Sequence, residues 1–260
     1  MGSRIVLGLV AAGLILLSTG VGAQDEVFVG SILINAPTGE VLDEGLWQAR
    51  ISHRFRLRAN EDPMDTFFGV DGGASVFLEC ARGISDALTA SLAKTNFPGH
   101  ELQLQLTHRI RSPILATLSA SANWNYKDNG IGEKEAYSFV FQGMLPFRVR
   151  KGLSAVLVPS LLLPLREQEE EILSLGLGLS YDLLEDTPLM VEWFPVLSGD
   201  IGANKSTWSV GVGKHIGWHD FALVLTNSEG ISPTDYLRGG DLDIAEREVR
   251  LGFNLLRKLD

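Results

Sequence analysis

The sequence predicts a closed antiparallel up-and-down transmembrane β-barrel of about 12 strands. Three observations support this all-β class. Apolar and polar residues alternate over stretches close in length to the roughly 9–11 residues of a tilted membrane strand. Apart from "NFPG", the connections between these stretches alternate between long and short, and aromatic residues collect near the strand ends. Together these features are typical of a barrel that crosses an outer membrane.

The net charge and the cysteine count exclude some classes of function and structure. The chain has 260 residues, is 45% hydrophobic and 21% charged, and carries a formal net charge of -10. An acidic balance argues against nucleic-acid binding, which favours a basic surface. Cys80 is the single cysteine, so an intramolecular disulfide framework is excluded.

The N-terminus resembles an export signal. An apolar run over 5–17 follows Arg4 and precedes the small residues "STGVGA". We predict a secretory signal peptide over 1–23, cleaved after Ala23. The alternative is an N-terminal anchor helix, for which the apolar run is short. We expect 24–44 to be a periplasmic N-terminal segment and 45–260 to form the barrel in the bacterial outer membrane.

The strands follow in order from the alternation. The first, "GLWQARISHRF", has an apolar face and a charged face, and a later one, 172–183, alternates leucine with serine and glycine. The stretch 153–164, "LSAVLVPSLLLP", is ambiguous because both faces are apolar. The predicted strands are 46–58, 70–82, 86–95, 100–110, 114–126, 136–147, 153–164, 172–183, 188–197, 206–216, 218–228 and 247–257.

The connections predict an orientation. Odd-numbered connections include "ANEDPMDTFFG" and "KDNGIGEKE", whereas even-numbered ones include "GIS", "RSP" and "GW". Membrane barrels have short periplasmic turns and long external loops, so both termini should be periplasmic. The aromatic residues at strand ends predict girdles at the two membrane boundaries. These girdle residues are Trp47, Trp124, Tyr126, Tyr137, Trp193, Trp208 and Trp218.

The charged faces predict the character of the lumen. If the apolar faces meet lipid, several arginines and carboxylates point inward and need partners. The expected lumen charge row is Arg50, Arg54, Arg56, Arg58, Glu79, Glu101, Arg109, Glu192, Glu248 and Arg250. This row predicts either a structural salt-bridge network or a lining that selects anionic or zwitterionic solutes.

Three short stretches carry a family resemblance. "ISHRF" near the mature N-terminus, "VLTNSEG" at 224–230 and "RLGFNLLR" at 250–257 occur in this order across the chain. Together they resemble an uncharacterised family of bacterial β-barrel proteins, a domain of unknown function, over roughly 45–257. The resemblance implies an outer-membrane barrel and no established activity. The chain departs from many such barrels because it ends "LLRKLD" rather than in an aromatic residue.

The sequence predicts a porin-like channel or narrow conduit for small polar or anionic solutes, without cofactors. No HExxH or HxH spacing predicts a metal site, and no catalytic residues can be assigned. The expected partners are outer-membrane lipid, a small polar solute and the barrel assembly machinery. The rivals are a binding or structural barrel sealed by side chains and by 24–44, and a membrane-embedded enzyme.

Overall fold

A computed structural model describes residues 27–97, 100–110, 116–127, 136–166 and 169–259. The predicted signal peptide over 1–23 lies outside these residues. The strands are β1 (Trp47–Phe55), β2 (Ala74–Ser85), β3 (Leu88–Thr95), β4 (His100–Ile110), β5 (Ala116–Lys127), β6 (Ala136–Arg150), β7 (Leu153–Pro164), β8 (Ile172–Leu184), β9 (Thr187–Phe194), β10 (Val196–Ser198), β11 (Thr207–Ile216), β12 (His219–Thr226) and β13 (Arg250–Leu259).

Twelve of these strands close into a barrel. Each pairs antiparallel with its neighbours, and β1 pairs with β13 from Trp47 opposite Leu259 to Arg54 opposite Gly252. This pairing leaves no free sheet edge in the ring, so every long strand has a partner on both sides. The predicted closed 12-stranded antiparallel barrel is confirmed.

The two faces of the barrel differ as the alternation predicts. Leu104, Leu118 and Leu223 on the outer face are more than half exposed, whereas Gln103 and Ser119 on the inner face are buried. Side chains of successive residues point to opposite faces of a strand. The outer face is therefore an apolar belt, and the inner face of β1 to β5 is polar.

The ninth predicted strand is interrupted at Pro195. The sequence predicts one strand over 188–197, but β9 ends at Phe194 and the short β10 pairs with β8 instead. Proline has no backbone N–H and cannot donate to a neighbouring strand. The Pro195 carbonyl instead accepts from the Leu175 N–H at 3.3 Å.

Residues 27–46, which we call the lumenal segment, precede β1, and most of 27–42 is buried within the barrel rather than in the periplasm as expected for 24–44, whereas 43–45 are exposed. Their tip is a tight hairpin over 31–38, closed by Leu33 N–H to Ala36 C=O at 2.9 Å and Thr38 N–H to Ser31 C=O at 3.0 Å. The barrel wall replaces the hydrogen bonds that water would make and adds apolar burial that water cannot supply, which favours the segment inside the barrel. Ile34 and Ala36 at its tip have no exposed surface.

The connection from β12 to β13, residues 227–249, also enters the lumen, and we call it the closing loop. It contains the one-turn helix α1 (Pro233–Tyr236), in which all four residues are buried. Among the described residues, no helix has the length and apolar character needed to cross a membrane.

An apolar core fills one half of the lumen. The inner face of β7 contributes Val156, Val158 and Leu162, which pack in one cluster with Ile34 of the lumenal segment and Tyr236 of the closing loop. This packing explains the ambiguous stretch 153–164. Its outer face meets lipid and its inner face meets the lumenal segment, so both faces are apolar.

Candidate functional site: the lumen

Glu192 on β9 holds the tip of the lumenal segment. Its carboxylate accepts hydrogen bonds from the backbone N–H groups of Ile34 (2.7 Å), Asn35 (2.8 and 2.9 Å) and Ala36 (2.7 Å). Successive N–H groups in a tight turn form an anion-binding concavity. The hairpin therefore binds the buried carboxylate as a ready-made anion site.

Arg54 and Arg50 on β1 complete the attachment of the hairpin. The Arg54 guanidinium is fully buried and donates to Asn35 Oδ1 at 2.9 Å and Asn254 Oδ1 at 3.0 Å. Arg50 donates to Ser52 Oγ at 3.0 Å and lies 3.9 Å from Glu79. Glu192 interacts electrostatically with both arginines, so these buried charges form a shared network across the lumen.

The other members of the predicted charge row pair near the ends of the barrel. Arg56 lies 3.0 Å from Glu229, and Arg58 pairs with Glu248 at 2.5 Å, with both arginines about half exposed. Two further pairs join the row to the lumenal segment and the closing loop: Arg109 with Glu40 at 3.0 Å, and Arg250 with Asp241 at 2.6 and 2.7 Å. The structure thus distributes the row over several pairs rather than along one exposed cationic stripe.

A small cavity of about 60 Å³, lined by both polar and apolar side chains, lies between the lumenal segment and the wall formed by β1 to β4 and β6. Its lining on β4 is a hydrogen-bonded row, Gln103 Nε2 to Gln105 Oε1 at 2.7 Å and Gln105 Nε2 to Thr107 Oγ1 at 3.2 Å. The buried Gln103 Oε1 has no hydrogen-bond partner among the described residues. Ile231 and Tyr236 of the closing loop bound the cavity on the side of the long connections.

Polar contacts hold the closing loop against the wall. Thr234 Oγ1 donates to the Glu101 carboxylate at 2.9 and 3.0 Å, and Gln142 Nε2 donates to Tyr236 Oη at 3.0 Å. Ser232 Oγ donates to Asp235 Oδ2 at 2.7 Å. Burial, and after it the neighbouring Glu101 carboxylate, raises the pKa of Asp235 well above its ordinary value.

A second, larger cavity of about 920 Å³ opens at the end with the short connections. The lumenal segment forms its floor through Phe28 and Leu33, and charged groups of both signs surround it, including Arg148 and Asp182. The His215 ring pairs with the Asp220 carboxylate on its rim. Within the described ranges, no cluster of three histidine, cysteine or acidic residues is arranged to hold a metal ion.

The predicted girdle residues lie at both ends of the barrel. Trp47 begins β1 and Trp218 occupies the turn before β12, at the end with short connections. Trp124 stacks on Tyr137 near the other end, with ring centroids 6.3 Å apart, and lies 5.3 Å from Tyr126. Trp193 and Trp208 are opposite each other in the pairing of β9 with β11, also near that end.

Sequence reasoning missed the neutral residues that organise the lumen. Asn35 and Asn254 bind Arg54, and Gln142 binds the closing loop, whereas the predicted lumen charge row contains only charged side chains. The alternating amides and hydroxyls of β4 and β5 contained part of this information. The contacts made by Asn35 depend on a loop that folds back into the barrel, which strand periodicity does not describe.

Comparison with known structures finds membrane barrels of the same fold. The KdgM porin matches at a TM-score of 0.50 and 10% identity, covering 82% of this chain and 99% of that one. KdgM in complex with disordered oligogalacturonate matches equally well in coverage, at 9% identity. An outer membrane channel from Pseudomonas putida F1 matches at a TM-score of 0.52 and 12% identity, covering 85% of this chain and 98% of that one.

The family comparison covers nearly all of the described barrel. No curated protein matches the chain. A family model described as a membrane bound beta barrel domain (DUF5777) matches residues 28–259, which include the lumenal segment, every strand and the closing loop. The chain therefore belongs to this family of membrane-bound β-barrel domains.

Proposed function

We propose that the protein is an outer-membrane conduit for small polar solutes and that the structure represents its closed state. The observation that carries this proposal is the small cavity beside the lumenal segment, whose lining includes the amide row of β4. It lies between the hairpin and the amide-rich wall of β4, and the closing loop bounds it at the end with long connections. Movement of that loop would open this side of the lumen at the end with long connections.

The lumenal segment is the fixed part of this arrangement. Ile34 and Leu33 pack into the apolar core on the inner faces of β6 to β9, and Glu192 binds the hairpin tip. Withdrawing the segment would expose this apolar wall to water and leave buried charges without their partners, which is costly. The segment therefore narrows the lumen permanently.

The closing loop is the movable part. Its polar contacts with the wall are hydrogen bonds from Thr234 to Glu101 and from Gln142 to Tyr236, while Tyr236 and Leu237 also pack in the apolar core. Ile231 adds a small apolar contact with Phe77 and Ala93. Connections outside the strand ladder open at a lower free-energy cost than the barrel itself. The two carboxyl groups of Glu101 and Asp235 lie close enough to interact, which further weakens docking when both ionise.

The cellular setting is part of the same proposal. The barrel sits in the bacterial outer membrane after export by the signal peptide over 1–23 and insertion by the barrel assembly machinery. Short connections, such as those at 86–87 and 217–218, face the periplasm, as is usual for such barrels. The closing loop then covers the external mouth, and the cavity of about 920 Å³ is the periplasmic vestibule.

Planar-bilayer recording tests the conduit. We expect the intact protein to conduct rarely, and a variant with 230–238 replaced by a short Gly-Ser linker to conduct steadily. The matched control replaces 61–66, in the exposed β1–β2 connection that does not line the cavity, with a linker of the same composition. Electrical silence of both the intact protein and the loop variant, with both folded, would reject the conduit.

A sealed binding or structural barrel is the second candidate function, and the apolar core inside the lumen favours it. Arg54→Glu separates the two functions because it places a carboxylate beside Glu192. In a conduit the substitution changes conductance while the barrel still assembles. In a sealed barrel the same variant loses stability, by a few kcal/mol for a buried charge without its partner, and stays silent.

A further inference from the structure

We propose that this conduit selects small uncharged, hydroxyl-rich solutes, such as short polyols and monosaccharides, over anions. The inference rests on the proposed function and names its substrate class. It comes from the cavity beside the lumenal segment, where the polar part of the wall consists of neutral amides and hydroxyls and the charged groups are bound to one another.

The wall of β4 is built to exchange hydrogen bonds with hydroxyl groups. Gln103, Gln105 and Thr107 follow one another on the lumen side at about 6.7 Å spacing, and each is hydrogen-bonded to the next. Ser91 on β3 and Gln142 on β6 extend this neutral lining across the neighbouring strands. Amide and hydroxyl groups both donate and accept, as sugar hydroxyls do.

The wall contains one buried acceptor without a partner among the described residues. Gln103 is 3% exposed and lines the cavity, and its Oε1 atom accepts no hydrogen bond from the described residues. Buried polar atoms in native proteins are almost always paired, so this unpaired acceptor indicates a place where a donor binds once the closing loop has moved. A solute hydroxyl supplies such a donor, whereas an inorganic anion such as chloride has none to offer.

The charges around the cavity do not favour an anion. Arg50 faces Glu79 at 3.9 Å, and Glu40 is paired with Arg109 at 3.0 Å. Arg50 also stacks over the Phe77 ring at 4.8 Å, which further occupies its guanidinium. Fixed charge concentrates counter-ions only where it is not already compensated. The predicted selection of anions by the arginine row therefore lacks a free cation at this cavity among its described lining residues.

The size of the cavity restricts the class to small solutes. About 60 Å³ holds on the order of four to six water molecules. A monosaccharide enters only when the closing loop moves away, and the fixed lumenal segment keeps the open path narrow. Long oligosaccharides and folded peptides are therefore excluded.

Liposome swelling and reversal potentials test the selectivity. The intact protein and the variant with 230–238 replaced are placed in vesicles and challenged with arabinose, glucose and potassium gluconate. We expect swelling in both sugars, faster for arabinose, and a reversal potential near zero in a KCl gradient. A strongly anion-selective conductance overturns the substrate class and leaves the conduit standing. If the vesicles show no swelling and no conductance, both the substrate class and the conduit are overturned.

Substitutions at Gln103 test whether solutes pass this wall. Gln103→Leu should slow sugar swelling several-fold, and Gln103→Glu should shift the reversal potential toward cations. Leu104→Ala is the matched control, because Leu104 is the next residue and faces lipid. If Gln103→Leu does not fold, Gln105→Leu replaces it. Sugar flux and reversal potential equal to the control in the folded variants overturn the inference.

Discussion

Replacing Glu192 by leucine should release the hairpin of the lumenal segment. In the structure the carboxylate accepts from three backbone N–H groups, those of Ile34, Asn35 and Ala36, at 2.7 to 2.9 Å. Each hydrogen bond to a charged group contributes about 1.5–3 kcal/mol, so leaving all three donors unpaired costs about 4–9 kcal/mol. This sum is an upper bound, because the hairpin can detach and let water bind its N–H groups before the full free-energy cost is reached.

Hydrogen exchange followed by mass spectrometry measures this release directly. The peptide covering 33–37 should exchange at least about tenfold faster in Glu192→Leu, because one lost bond of about 1.5 kcal/mol already changes the opening equilibrium tenfold. Glu192→Gln keeps one acceptor oxygen and should exchange at an intermediate rate. Val191→Ala alters a lipid-facing neighbour on the same strand and is the control. Equal exchange in Glu192→Leu and Val191→Ala would refute the proposed role of the carboxylate.

Three further predictions concern the closing loop, the lipid face and the orientation. The pKa of Asp235 is raised in the docked loop, first by burial and then by Glu101, so docking is strongest below its ordinary value of 3.8 and weakens as pH rises. Ser232 and Arg238 also face the Asp235 carboxyl and lower its pKa, but by less than burial and Glu101 raise it. Conductance should therefore increase with pH, and Asp235→Asn should flatten this dependence in bilayer recordings. Leu104→Arg should destabilise the barrel by about 2–4 kcal/mol in urea titrations in lipid vesicles, and a cost no larger than that of Leu104→Ala would argue against lipid contact. A protease site inserted at Asp241, which is about half exposed, should be cut on intact cells, and cleavage only after outer-membrane disruption would reverse the orientation.

The strands were predictable because each one carries its own two-residue period. The structure confirms all twelve predicted barrel strands, with ends displaced by a few residues, as at β13, which begins at Arg250 rather than at 247. The first strand pairs with the last in the order that chain closure requires. Local alternation and turn residues suffice for this result, because a meandering barrel places sequence neighbours side by side.

The contents of the lumen were decided by tertiary structure. Arg50 and Arg54 were recognisable as inward-facing residues, but their partners Ile34, Asn35 and Asn254 lie on a folded-back segment and on the last strand. The apolar character of both faces of 153–164 was the one local sign that the barrel contains a core. Periodicity states which face of a strand a residue occupies. It does not state which non-repetitive segment fills the space in front of that face, because this depends on contacts between residues far apart in the chain.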